Sequence, residues 1–108
     1  MAALQSMLRG LSARQTAIAD NLSNLETPGY TAKRIDFEDS LRAALEGGAG
    51  AIDPVQSAST DPALPNGNNV SVQKEVVSMQ DTNLRYEMAI QAMTAKFSLL
   101  RTAISGQG

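Results

Sequence analysis

The stretch VQKEVVSMQDTNLRYEMAIQAMTAKFSLLRTAIS, Val72 to Ser105, decides the fold. Alternating steps of four and three pick out Val72, Val76, Met79, Asn83, Tyr86, Ile90, Met93, Phe97, Leu100 and Ile104. All but Asn83 are apolar or aromatic, on a seven-residue repeat that keeps one stripe of a helix facing a partner. No Gly or Pro interrupts the stretch, so the spacing predicts one helix roughly 50 Å long. A helix of that length cannot bury its stripe against itself. A second stripe, Val77, Leu84, Met88, Ala95 and Leu99, runs beside the first and either widens one buried face or offers neighbours another contact.

The same rhythm governs the other end of the chain. Leu4, Leu8, Leu11, Gln15, Ile18, Leu22 and Leu25 again alternate four and three, predicting an amphipathic helix that Pro28 and Gly29 stop. Each stripe carries one polar inner residue, Gln15 in the first and Asn83 in the second. Such residues fix register at a cost in stability. Their partners are each other, a neighbouring chain or water. The expected fold is therefore all-α: two long helices pairing as a coiled coil through Leu4, Leu8, Leu11, Ile18, Leu22 and Leu25 on one side. The other side supplies Val72, Val76, Met79, Tyr86, Ile90, Met93, Phe97, Leu100 and Ile104.

The segments divide as 1–29, the first helix and its turn; 30–71, a connection; and 72–108, the long helix. Within the connection, residues 36–46 read as a short helix, formed in the free chain or only on docking. Asp36 would be its N-cap, and Gly47-Gly48 would end it. Lys33-Arg34 reads as surface. From 47 to 69, Gly and Pro punctuate Ala, Ser, Asp and Asn with no lasting period, which reads as an irregular loop. Pro65-Asn66-Gly67-Asn68-Asn69 forms a turn cluster, after which Asn69 or Ser71 can cap the long helix.

Composition removes most chemistry. The 108 residues include no Cys and no His, so thiolate sites, the usual metal ligands and the usual general base are missing. A net charge of −2 and a pI near 4.9 leave no basic footprint for nucleic acid. No run approaches the length of apolar sequence a membrane span needs, and Met1 to Gln5 lacks the blocks of a cleavable signal peptide. No phosphate-binding glycine loop is present, and no lysine is placed beside a serine. We expect no enzyme, no cofactor and no bound metal.

One motif adds to this reading. Asn21 and Asn24 close the first helix, with Thr27-Pro28-Gly29-Tyr30 following; by spacing they are a polar helix end and a turn. The run Ala19 to Tyr30 strongly resembles the Ala-Asn-Asn-Leu-Ala-Asn-x-x-Thr-Pro-Gly-Tyr signature of bacterial flagellar rod and hook proteins, departing at Asp20 and Ser23. Ile35-Asp36-Phe37, Asn66-Gly67-Asn68-Asn69-Val70 ahead of Glu75, and the ending Lys96 to Gly106 are similar to a proximal-rod subunit of that family. There the family's usual Asp is Asn66. Only about 47 to 65 lies outside the resemblance.

The resemblance implies a structural subunit of the flagellar basal body, exported through the flagellar type III gate without a cleavable signal and assembled in the periplasmic rod. It implies helical polymerisation with copies of itself and other rod proteins, through end helices packed as a coiled coil. It also implies contact with the rod–export-gate adaptor FliE and the MS-ring protein, with no nucleic acid and no direct membrane insertion. It marks Asn21, Leu22, Asn24, Thr27, Pro28, Gly29 and Tyr30 as the turn that sets how the chain leaves its first helix and meets a neighbour. The alternatives are another proximal-rod subunit sharing the first motif, or a heptad adaptor or export chaperone that never polymerises.

Overall fold

The computed structural model describes residues 2–48 and 50–106. Met1, Ala49, Gln107 and Gly108, which fall in the segments 1–29, 47–69 and 72–108, lie outside the described residues. The order of elements is α1 (Ala2–Ser23), β1 (Lys33–Asp36), α2 (Glu38–Glu46), β2 (Val55–Ala58) and α3 (Val72–Ser105). Both long helices form as their repeats require. Ser71 caps α3, its hydroxyl accepting the Lys74 N–H at 3.4 Å, and Glu75 adds an acid in the first turn.

The all-α expectation needs correction. Lys33–Asp36 and Val55–Ala58 pair antiparallel, Lys33 opposite Ala58 and Asp36 opposite Val55. Four residues are too few to display a period of two, and β2 is exposed along its whole length, so it has no buried face to betray it. Part of the 47–69 loop is therefore strand. The short helix starts two residues later than 36. Asp36 ends β1, and the backbone leaves for α2 at Phe37, without a side-chain cap.

α1 runs antiparallel to α3: Gln15 Nε2 donates to Asn83 Oδ1 at 3.0 Å, while six residues later Asn21 donates to Glu75, eight residues earlier on α3. The two lone polar residues of the stripes are thus each other's partners, and they set the register. The small core lies where α1, α3 and the β1–α2 segment meet, around Leu11, Ala17, Ile35, Phe37, Leu41 and Ala89.

The other side of α1 is lined by small residues at spacings of four and three: Ser6, Gly10, Ala13 and Ala17. They let the middle segment approach closely. The Ser6 hydroxyl accepts the Ile52 N–H at 3.1 Å, and Gly10 lies directly under the Phe37 ring. Among the stripe positions, Leu11 and Ile18 are buried and Leu4, Leu8 and Leu22 half-buried on α1, which ends at Ser23, so half-buried Leu25 lies in the turn beyond the helix.

On α3 the fully buried positions are Thr82 and Ala89, with Val76, Tyr86 and Met93 half-buried. Val72, Met79, Ile90, Phe97, Leu100 and Ile104 are exposed in the single chain. Carrying the Gln15–Asn83 register back at equal rise places the start of α1 level with about residue 96. Beyond that point α3 has no companion among the described residues. There Phe97 and Leu100 are half exposed, and Leu99 and Ile104 are 71% and 74% exposed.

One ion pair ties three elements together. Arg14 on α1 meets Glu38 at the start of α2 through both carboxylate oxygens, at 2.6 and 2.7 Å, and also donates to Ile35 O. Arg85 on α3 lies 3.7 Å from the same carboxylate. The Arg14 hydrogen bonds pull the Glu38 carboxyl down to about 2. A lowered carboxyl pKa adds stability above the unfolded value near 4.5 and loses it as pH falls toward 2. Glu38 is one-third exposed, so screening reduces the gain to about 1–2 kcal/mol. Urea unfolding at neutral and at strongly acid pH should show the native chain losing that much more than Glu38→Gln. Equal losses would remove this account of the pair.

Candidate functional site

The turn motif after α1 and the asparagine cluster before α3 meet in one joint, built almost wholly from side-chain amides. Asn21, 1% exposed, uses its whole amide. Its Nδ2 donates to Lys33 O at 3.0 Å and Glu75 Oε1 at 2.9 Å; its Oδ1 accepts Lys33 N–H at 2.8 Å and the Tyr30 hydroxyl at 3.1 Å. Exchanging both bonds with one backbone residue is what a neighbouring strand residue does. Asn21 therefore covers the outer edge of β1 at Lys33, and Arg14 covers it at Ile35.

Asn24 and Thr27 hold the turn itself. Asn24 Nδ2 donates back to Asp20 O at 2.8 Å, and its Oδ1 accepts the Thr27 hydroxyl at 3.0 Å. The same carbonyl also accepts the Asn24 backbone N–H at 3.1 Å, so Asn24 closes the helix end twice over. Pro28 is exposed. Gly29 has φ +74°, a region an L side chain rarely adopts, and its N–H donates to Asn66 O at 2.8 Å.

From the other side, fully buried Asn68 donates to Asn24 O and Thr27 O, both at 2.8 Å, and accepts the Val70 N–H at 2.8 Å. Asn69 Oδ1 accepts Ala32 N–H at 2.7 Å, and its Nδ2 donates to Asp61 O at 3.1 Å and Ser59 O at 3.3 Å. The backbones touch where Gly67 (φ +85°) meets Gly29: a Cβ on Gly67 would lie 3.1 Å from Gly29 Cα.

Of the motif residues, Asn21, Asn24, Thr27, Gly29 and Tyr30 come together in the joint. Leu22 sits half-buried on α1, and Pro28 faces outward. By spacing, Asn66 and Asn68 were legible only as a turn, Asn69 as a turn residue or a cap of the long helix, which Ser71 provides instead, and Lys33 only as surface. The local signal was their density: four of the five residues 65–69 other than Pro are Asn or Gly, with three amides in four positions. Lys33 in fact pairs with Asp20 at 3.0 Å.

Burial raises the Glu75 carboxyl, with the Asn21 amide opposing the shift. A polar cleft of about 340 Å³ opens beside the joint, bordered by Lys33, Asp61, Lys74 and Glu75 among others. Its lysines already have acids, Lys74 with Asp61 at 2.9 Å and Lys33 with Asp20, so its charge does not call for a ligand. Among the described residues no cluster of His, Cys, Asp or Glu is placed to hold a metal. No described helix is long and apolar enough to cross a membrane. The arrangement is mechanical: it fixes the foot of α1 against the start of α3.

No family model matches the chain. Curated relatives do match along most of it. It is 28% identical over 117 residues to the flagellar basal body rod protein FlgB of Bacillus subtilis strain 168, covering 95% of this chain and 91% of that protein. To the protein of the same name in Escherichia coli K12 it is 27% identical, over 85% of this chain and 83% of the relative. With that of Salmonella typhimurium the figures are 24%, 94% and 90%.

Proposed function

We propose, from the premise that this chain belongs to the FlgB family of flagellar basal body rod proteins, that it is a structural subunit of the proximal rod. The carrying observation is similarity along 85 to 95% of the chain to proteins of that name. Two of the stretches that resemble the family, Ala19 to Tyr30 and Asn66 to Val70, meet in a single joint. The relatives reported above do not favour the alternatives, the neighbouring subunit FlgC or a non-polymerising adaptor. Nothing in the reading requires catalysis or a cofactor.

In this reading the joint holds α1 against the lower part of α3, and the upper part of α3 serves assembly. Phe97, Leu100 and Ile104 would take up helices of neighbouring subunits in a coiled-coil layer, with Val72, Met79 and Ile90 completing contacts lower down. Copies of the chain and other rod proteins are the immediate neighbours. FliE and the MS-ring protein would lie at the base, and the type III export gate would deliver the chain to the periplasmic rod.

A filament count by electron microscopy on cells lacking this chain, with flagellin in the medium assayed alongside, tests the reading. Bald cells that regain filaments on complementation are expected. Normally filamented, motile cells would leave the adaptor as the better account.

A further inference from the structure

Asn66-Gly67 is the sole Asn-Gly step in the chain, and the joint dictates the glycine. Gly67 has φ +85° and almost touches Gly29, so no larger residue fits without strain. A glycine after asparagine also leaves the next backbone nitrogen unshielded toward the asparagine side chain. Asn66 and Gly67 are both exposed to solvent.

We infer that Asn66 is a site of spontaneous deamidation that the folded joint protects and the unfolded chain does not. In the reaction the Gly67 nitrogen gives its proton to water and attacks Asn66 Cγ. The new C–N bond forms, the Cγ–Nδ2 bond breaks, and ammonia leaves with a proton from solvent. Water then opens the five-membered imide at either carbonyl, leaving aspartate or isoaspartate at position 66. No oxidant or reductant is involved.

The fold opposes the first step at both reacting groups. The Gly67 N–H is engaged by Leu64 O at 2.8 Å, and Asn66 Oδ1 is held by the Asn68 N–H at 3.0 Å. Attack requires both bonds to open while Asn66 O is tied to Gly29 N–H at 2.8 Å. The two products differ in consequence. Aspartate keeps an oxygen where Asn68 N–H needs one. Isoaspartate adds a methylene to the backbone between positions 66 and 67 and turns the carbonyl that Gly29 uses into a free carboxylate, so the close contact of Gly67 with Gly29 is lost.

Peptide mass mapping of the purified full chain, incubated in mildly alkaline buffer with and without guanidinium, tests this. The mass gain of deamidation at Asn66 should appear at least about tenfold faster in denaturant, since exchange in the native state waits on local opening. Asn68→Ala should raise the rate in native buffer toward the denatured one. Asn66→Asp should melt like the native chain, whereas the isolated isoaspartate form should not. Equal rates with and without denaturant would overturn the protection, and no gain at Asn66 in denaturant would overturn the site.

Discussion

Phe37→Ala is expected to remove about 3–5 kcal/mol of stability, the usual cost of emptying a buried aromatic site. For a chain of this size that is a large share of the total. Phe37 is 1% exposed and the largest fully buried side chain. It joins the start of α2 to α1 in the core: its ring packs on Gly10 of α1, and the Arg14 guanidinium lies over it, 5.0 Å from its centre. Gly10→Ala is the informative companion. In an exposed helix interior that change stabilises by about 1 kcal/mol. Here the new methyl would lie 2.5 to 2.6 Å from three ring atoms, so overpacking should reverse the sign and cost about 1–3 kcal/mol. In a Phe37→Leu background the penalty should shrink. Urea unfolding of the four chains measures this directly, and a stabilising Gly10→Ala in the native background would mean the ring does not sit where it is described.

Asn21→Asp should be nearly as damaging although it changes no volume. The carboxylate still accepts from Lys33 N–H and the Tyr30 hydroxyl. It cannot donate to Lys33 O or to Glu75, and it places a charge beside the Glu75 carboxylate in a buried setting. An unpaired buried acceptor costs about 1–3 kcal/mol, more when charge is involved, so a total loss of about 3–5 kcal/mol is expected. Part of it should return in acid, where a protonated aspartate donates once. Thermal melting across the acid range would show a narrowing gap between variant and native chain. A gap that is small at neutral pH would argue that the amide is not the centre of the joint.

The long helices were legible because heptad spacing over 22 and 34 residues is a strong, redundant signal. The pairing of Gln15 with Asn83 was half legible: each stood out as the polar member of its stripe, but only the register joined them. Gly10 was silent, since a glycine inside a helix has no meaning until Phe37 is brought over it from 27 residues away in the chain. The strands were silent for another reason. β1 is held by Asn21 and Arg14 from α1 as much as by β2, so its stability is tertiary and leaves no local pattern. The joint lay between these cases: both asparagine clusters were visible, and their contact across more than 40 residues was not.

We propose that the free end of α3 serves assembly, not the fold of the single chain. The most direct test is the filament count in cells where the native chain is replaced by Phe97→Asp, with melting of the purified variant as its control. Because Phe97 is half exposed here, the variant should melt within about 0.5 kcal/mol of the native chain and yet leave the cells bald. Full filaments on those cells would contradict the role given to the end of α3.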